Sequence, residues 1–83
     1  MNLLLDREAK KSLKKLSPEV TQRIVAKLEF FLATPNPLNF AERLVNHETG
    51  QYRFRIGDYR VIFDVEDETI VVLSVGHRRE IYK

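Results

Sequence analysis

Gln51-Tyr52-Arg53-Phe54-Arg55-Ile56-Gly57-Asp58-Tyr59-Arg60-Val61-Ile62-Phe63-Asp64-Val65 reads as two strands joined by a tight turn. Tyr52, Phe54 and Ile56 alternate with Arg53 and Arg55, a period of two that belongs to a strand with one apolar face. Gly57-Asp58 is a two-residue hairpin signal, because glycine takes φ > 0 without a Cβ clash. Tyr59, Val61, Phe63 and Val65 then resume the alternation. Asp67-Glu68 marks a second turn, and Ile70 to Val75 is apolar on both faces, as a covered central strand is. Three strands in succession read as an antiparallel meander.

Working outward to the N-terminus, the pattern changes to helical spacing. Met1 to Asp6 reads as a short strand, and Asp6 can cap a helix over about 7–16, with Ala9, Leu13 and Leu16 on one face. Ser17-Pro18-Glu19 starts a second helix: an N-cap, a proline suited to the first turn, and an acid at the positive dipole end. Val20, Ile24, Leu28 and Phe31 form its apolar stripe, and Thr34-Pro35-Asn36-Pro37 stops it. Leu38 to Gly50 carries little signal, and Leu44 and Val45 suit either a strand start or a loop. The expected fold is α+β, in the order β-α-α-β-β-β, with an antiparallel sheet and a helical hairpin packed on one face. The chain of 83 residues forms one domain, 1–83.

Composition narrows the function classes. Without cysteine there is no disulfide framework and no thiolate metal site. The first residues lack the apolar core of a signal peptide, and no run approaches the ~20 apolar residues of a membrane span. A cytoplasmic location without membrane contact is the expectation. Net charge is only +2, but it is segregated. Lys10, Lys11, Lys14 and Lys15 crowd one segment, Arg53, Arg55 and Arg60 another, and acids gather at Asp64, Glu66, Asp67 and Glu68. Such segregation creates a local field.

Turn register sharpens this. A two-residue loop at Gly57-Asp58 sets Ile56 opposite Tyr59, Arg55 opposite Arg60 and Arg53 opposite Ile62. Like charges facing each other cost up to ~1 kcal/mol, which an intervening anion would reverse. With Asp67-Glu68 as the next loop, Arg60 faces Val75, and His77 follows on the same face. His77, Arg78, Arg79 and Tyr82 then finish near Arg55 and Arg60. Alternating arginines alone describe a solvated face. Their convergence from three segments points to a phosphate-binding cluster. Tyr52 and Phe54 read as packing against the helices rather than as a stacking platform, and His47 has no visible partner.

Tyr52-Arg53-Phe54-Arg55-Ile56-Gly57-Asp58-Tyr59-Arg60-Val61-Ile62-Phe63 and Val75-Gly76-His77-Arg78-Arg79-Glu80-Ile81-Tyr82 together resemble the signatures of the RelE/ParE toxin superfamily, and the ending is closer to its RelE branch. The resemblance spans essentially the whole chain. It implies the toxin of a type II toxin–antitoxin system, a ribosome-dependent messenger RNA endoribonuclease, with a cognate antitoxin, the ribosome and mRNA as partners. It implies metal-free, cofactor-free chemistry in which a 2′-hydroxyl attacks the adjacent phosphorus. Arg53, Arg55, Arg60, Arg78 and Tyr82 map onto the family's catalytic positions. His77 is a candidate proton carrier. Lys10, Lys11, Lys14, Lys15 and Arg79 are candidate RNA contacts. The family's best-known member has lysines where Arg53 and Arg55 stand; arginine keeps the charge but gives up a proton far less readily. Two other readings belong to the same resemblance: a gyrase inhibitor of the ParE type, and an inactive module that binds the antitoxin.

Overall fold

The computed structural model describes residues 1–45 and 49–81. The chain runs β1 (Asn2–Leu5), α1 (Arg7–Lys14), α2 (Pro18–Ala33), a 3-10 turn (Pro37–Phe40), β2 (Ala41–Arg43), β3 (Tyr52–Ile56), β4 (Tyr59–Glu66) and β5 (Thr69–His77). Its strands form one five-stranded sheet in the order β1-β5-β4-β3-β2. The α+β class and the helical hairpin are as expected from the sequence.

Both helix starts follow from their capping side chains. Asp6 accepts a hydrogen bond from the Ala9 amide at 2.9 Å, and Ser17 accepts one from the Val20 amide at 3.3 Å. Pro18 occupies the first turn of α2, where a missing N–H costs nothing. The hydroxyl of Thr21 donates to the Leu13 carbonyl at 3.2 Å and ties α2 back to α1. Ile24, Leu28 and Phe31 bury one stripe of α2 against Phe54, Val61, Phe63, Ile70 and Val72 of the sheet. Aromatic rings dominate this layer: Phe54 stacks on Phe63 with centroids 4.5 Å apart, and Phe31 lies 4.7 Å from Phe54. The alternating aromatics of β3 are therefore core, as their spacing indicated.

The sheet departs from the expected meander in three ways. It is mixed rather than wholly antiparallel, because β1 lies parallel to β5. The α1–α2 crossover makes this possible: two helices carry the chain across the sheet, whereas a tight hairpin would force the antiparallel arrangement. A short extra strand, β2, pairs with β3 in the region where the sequence carried little signal. The β4–β5 ladder also holds a bulge between Ile62 and Phe63. Phe63 pairs with Val72 but Ile62 pairs with Ser74, so Leu73 is the extra residue. Arg60 consequently faces Gly76, not Val75, and His77 faces Tyr59.

The hairpin at Gly57-Asp58 keeps its expected register, with Arg55 opposite Arg60 and Arg53 opposite Ile62. Gly57 takes φ +60 as the turn requires. On the sheet face away from the helices, the backbone at Gly50 presses onto Ile62. A Cβ there would lie 2.5 Å from Ile62 Cγ2, and φ is +152. That close approach contributes to burying Ile62, which is 0% exposed although it points away from the helices.

Candidate nucleic-acid interface

The open face of the sheet carries the arginines. Glu42 of β2 pairs directly with Arg53 of β3, so their side chains share that face with Arg55. Arg53 reaches the Glu42 carboxylate through Nη2 at 2.7 Å and Nε at 3.2 Å. Arg55 Nη1 reaches the other carboxylate oxygen at 3.3 Å. One carboxylate thus bridges two guanidiniums, and Arg53, by donating to it, holds Glu42 below its ordinary pKa of 4.5. The sequence reading missed Glu42. The alternation of β3 shows that the arginine face needs an anion; it does not show that β2 supplies one, because the two residues lie 11 apart in a stretch without periodicity.

Arg60 solves the like-charge problem differently. It is 5% exposed, and its Nη1 donates to the Gly57 and Tyr59 carbonyls, both at 2.9 Å. The guanidinium folds back to clasp the β3–β4 turn. Arg78 arrives at the same turn from β5: its backbone N–H donates to the Asp58 carbonyl at 2.8 Å, and its Nε lies 3.8 Å from Asp58 Oδ1. Arg55 and Arg78 remain largely exposed, at 58% and 53%. The structure therefore brings Arg53, Arg55, Arg60 and Arg78 to one end of the sheet.

His77 is not on the arginine face. The Leu73 bulge turns it to the helix side, where its ring meets Tyr59 edge-on at 5.5 Å. The backbone N–H of Arg79 donates to its Nδ1 at 3.1 Å, so the neutral ring carries its proton on Nε2. His77 lines a cleft of about 360 Å³ with Ser12, Lys15, Tyr59 and Glu80. The lysine group divides as well. Lys10, Lys11 and Lys14 line a separate cleft with Arg7, which sequence reading had not singled out, while Lys15 turns towards His77. Arg79 is exposed just beyond β5. A larger cleft, about 590 Å³, sits at the far end of the β3–β4 hairpin beside Arg43 and Asp64, and neither Arg55, Arg60 nor Arg78 lines it. Tyr82 and His47 lie outside the described residues.

Fold and charge define a small α+β protein with a basic sheet end, and its relatives say which kind. The family described as "ParE toxin of type II toxin-antitoxin system, parDE" matches residues 3–82. Toxin RelG of Mycobacterium tuberculosis is 32% identical over 77 residues, covering 90% of this chain and 87% of the relative. The toxin–antitoxin complex RelBE2 from the same organism contains a chain with TM-score 0.75 and 29% identity, over 93% of this chain and 96% of that one. The intact RelBE toxin–antitoxin complex of E. coli gives TM-score 0.70 and 28% identity, over 92% and 94%. The chain belongs to the RelE/ParE family of type II toxin–antitoxin toxins. A cognate antitoxin is its partner class, and no helix among the described residues is long and apolar enough to cross a membrane.

Proposed function

We propose that this toxin is a ribosome-dependent messenger RNA endoribonuclease whose working surface is the open sheet face at the β3–β4 turn. The observation that carries this reading is the convergence of Arg53, Arg55 and Arg78 from two strand regions on that turn, with Arg60 clasping it from inside. Phosphoryl transfer asks for positioned positive charge around a phosphate, and guanidiniums supply it in a planar, bidentate form. Arg55 and Arg78 hold the scissile phosphate. Arg60 fixes the turn that places them.

The reaction also needs an acceptor for the 2′-hydroxyl proton. His77 points to the other face of the sheet, so it fits that task poorly. Glu42 stands among the arginines and is kept ionised by them. In the proposed step the 2′-oxygen attacks phosphorus as Glu42 takes its proton. The bond from phosphorus to the 5′-oxygen breaks, that oxygen takes a proton from solvent, and a cyclic 2′,3′-phosphate and a 5′-hydroxyl remain. Arg7, Lys10, Lys11 and Lys14 contact RNA phosphates at a distance from the chemistry through salt-sensitive contacts. Lys15 and Arg79 flank the His77 cleft and its strand end, and Tyr82 keeps the catalytic position that the resemblance gives it, stacking on a base beside the scissile phosphate.

The matching family carries the ParE name, and the second reading that the resemblance implies is gyrase inhibition of the ParE type. Purified toxin incubated with translating ribosomes separates the two. Endoribonuclease action leaves cut transcripts and normal gyrase supercoiling, and the rival gives the reverse.

A further inference from the structure

The end of the β3–β4 hairpin opposite the Gly57-Asp58 turn holds chemistry that cleavage does not use. Leu38, Arg43, Gln51, Tyr52, Asp64 and Val65 line a cleft of about 590 Å³ there. Sites for small ligands run to roughly 300–1,000 Å³. Two hydrogen bonds fix its polar groups. The Gln51 N–H donates to Asp64 Oδ1 at 2.8 Å, and the Val65 N–H donates to Gln51 Oε1 at 3.0 Å. This reciprocal clasp orients both side chains and uses only part of their hydrogen-bonding capacity. Gln51 keeps both Nε2 donors. Asp64 keeps Oδ2 and a second lone pair on Oδ1. Neither side chain has another partner among the described residues. The Tyr52 ring, stacked on Phe63 at 5.5 Å, gives the cleft an aromatic wall, and Leu38 and Val65 add apolar surface. Arg43 is exposed beside them, and no hydrogen bond or ion pair engages its guanidinium among the described residues.

We propose that this cleft binds a guanine nucleotide, with its base against Tyr52 and its phosphate at Arg43. Among the four RNA bases only guanine sets two donors side by side, N1–H and N2–H, with an acceptor, O6, next to them. The Asp64 carboxylate matches the donor pair, and Gln51 Nε2 matches O6. Adenine and cytosine set one amino group beside an acceptor nitrogen. Uracil sets one N–H between two carbonyls. Each of these turns an acceptor towards the carboxylate, and an unmatched polar group discriminates more strongly than a missing apolar contact. The Arg43 guanidinium fits a phosphate bidentately. The nucleotide comes free or as one residue of an RNA strand, and the recognition chemistry is the same for both. Because Arg55, Arg60 and Arg78 do not line the cleft, binding there is separable from cleavage.

Titration of the full chain with nucleoside 5′-monophosphates, followed by nuclear magnetic resonance, tests this. GMP should shift the Gln51 and Val65 amides saturably, and AMP, CMP and UMP should bind at least roughly tenfold more weakly. Asp64→Asn keeps Oδ1 for the Gln51 N–H and turns the other oxygen into a donor. It should lower GMP affinity roughly tenfold and raise that for xanthosine 5′-monophosphate, whose C2 carbonyl accepts where guanine donates. Arg43→Ala changes an exposed side chain, and should weaken GMP about threefold while leaving guanosine unchanged. Hexamers of 2′-O-methyl RNA, with and without one guanine, separate the two sources. A guanine-containing hexamer that displaces GMP and binds more tightly supports the site as an RNA contact, and one that fails to displace it supports a free nucleotide. Absence of a saturable GMP shift, equal binding of all four monophosphates, shifts confined to the Arg55 and Arg78 amides, or undiminished GMP binding by Asp64→Asn overturns the proposal.

Discussion

A carboxylate set between two guanidiniums does two opposing things. Glu42 neutralises part of the arginine face, which weakens its pull on a phosphate, and in the proposed step its ionised carboxylate takes the proton, as a base weakened by the same two guanidiniums. Glu42→Gln separates these roles. RNA binding by the face should tighten, while single-turnover cleavage falls by about 10²–10⁴-fold. Equal losses in both would mark Glu42 as merely structural. Its stability contribution has a defined pH window. A depressed carboxylate pKa stabilises the fold fully above the ordinary value of 4.5 and loses that contribution as pH falls through the lower folded value. The difference in urea midpoint between wild type and Glu42→Gln should therefore shrink on acidification. Arg60 and Arg78 divide similarly. Arg60→Ala frees two turn carbonyls and empties a buried position, and should cost about 2 kcal/mol in urea unfolding. Arg78→Ala removes an exposed side chain and should abolish cleavage with the melting temperature unchanged.

At the level of elements, local signals carried far. The caps at Asp6 and Ser17, the α2 stripe and the Arg55–Arg60 register were legible because each is set within a few residues. What could not be read is non-local. The parallel pairing of β1 depends on the packing of two intervening helices, and β2 exists through its pairing with β3. The Leu73 bulge has no residue signature, yet it moves His77 to the opposite face, and with it the proton carrier suggested by the sequence. The loop at Gly50 shows the same dependence. Gly50→Ala places a Cβ against Ile62 at a φ that L-residues avoid, and should destabilise by about 1–3 kcal/mol, read from denaturant midpoints.

The described residues form one sheet with a packed face and an arginine face. A chain this small has few reserves, so a partner that binds only the native state adds stability that grows with the logarithm of its concentration. Saturating antitoxin at about 100 times its Kd should add about 2.7 kcal/mol, seen as a melting temperature that rises with antitoxin concentration. If the arginine face cuts messenger RNA on the ribosome, the cut ends carry its signature. The most direct measurement is transcriptome-wide mapping of RNA ends after brief induction of the wild-type toxin and of Arg78→Ala. New 5′-hydroxyl ends are expected within translated reading frames for the wild type and none for the variant. Intact transcripts in cells arrested by the wild-type toxin would contradict that cleavage.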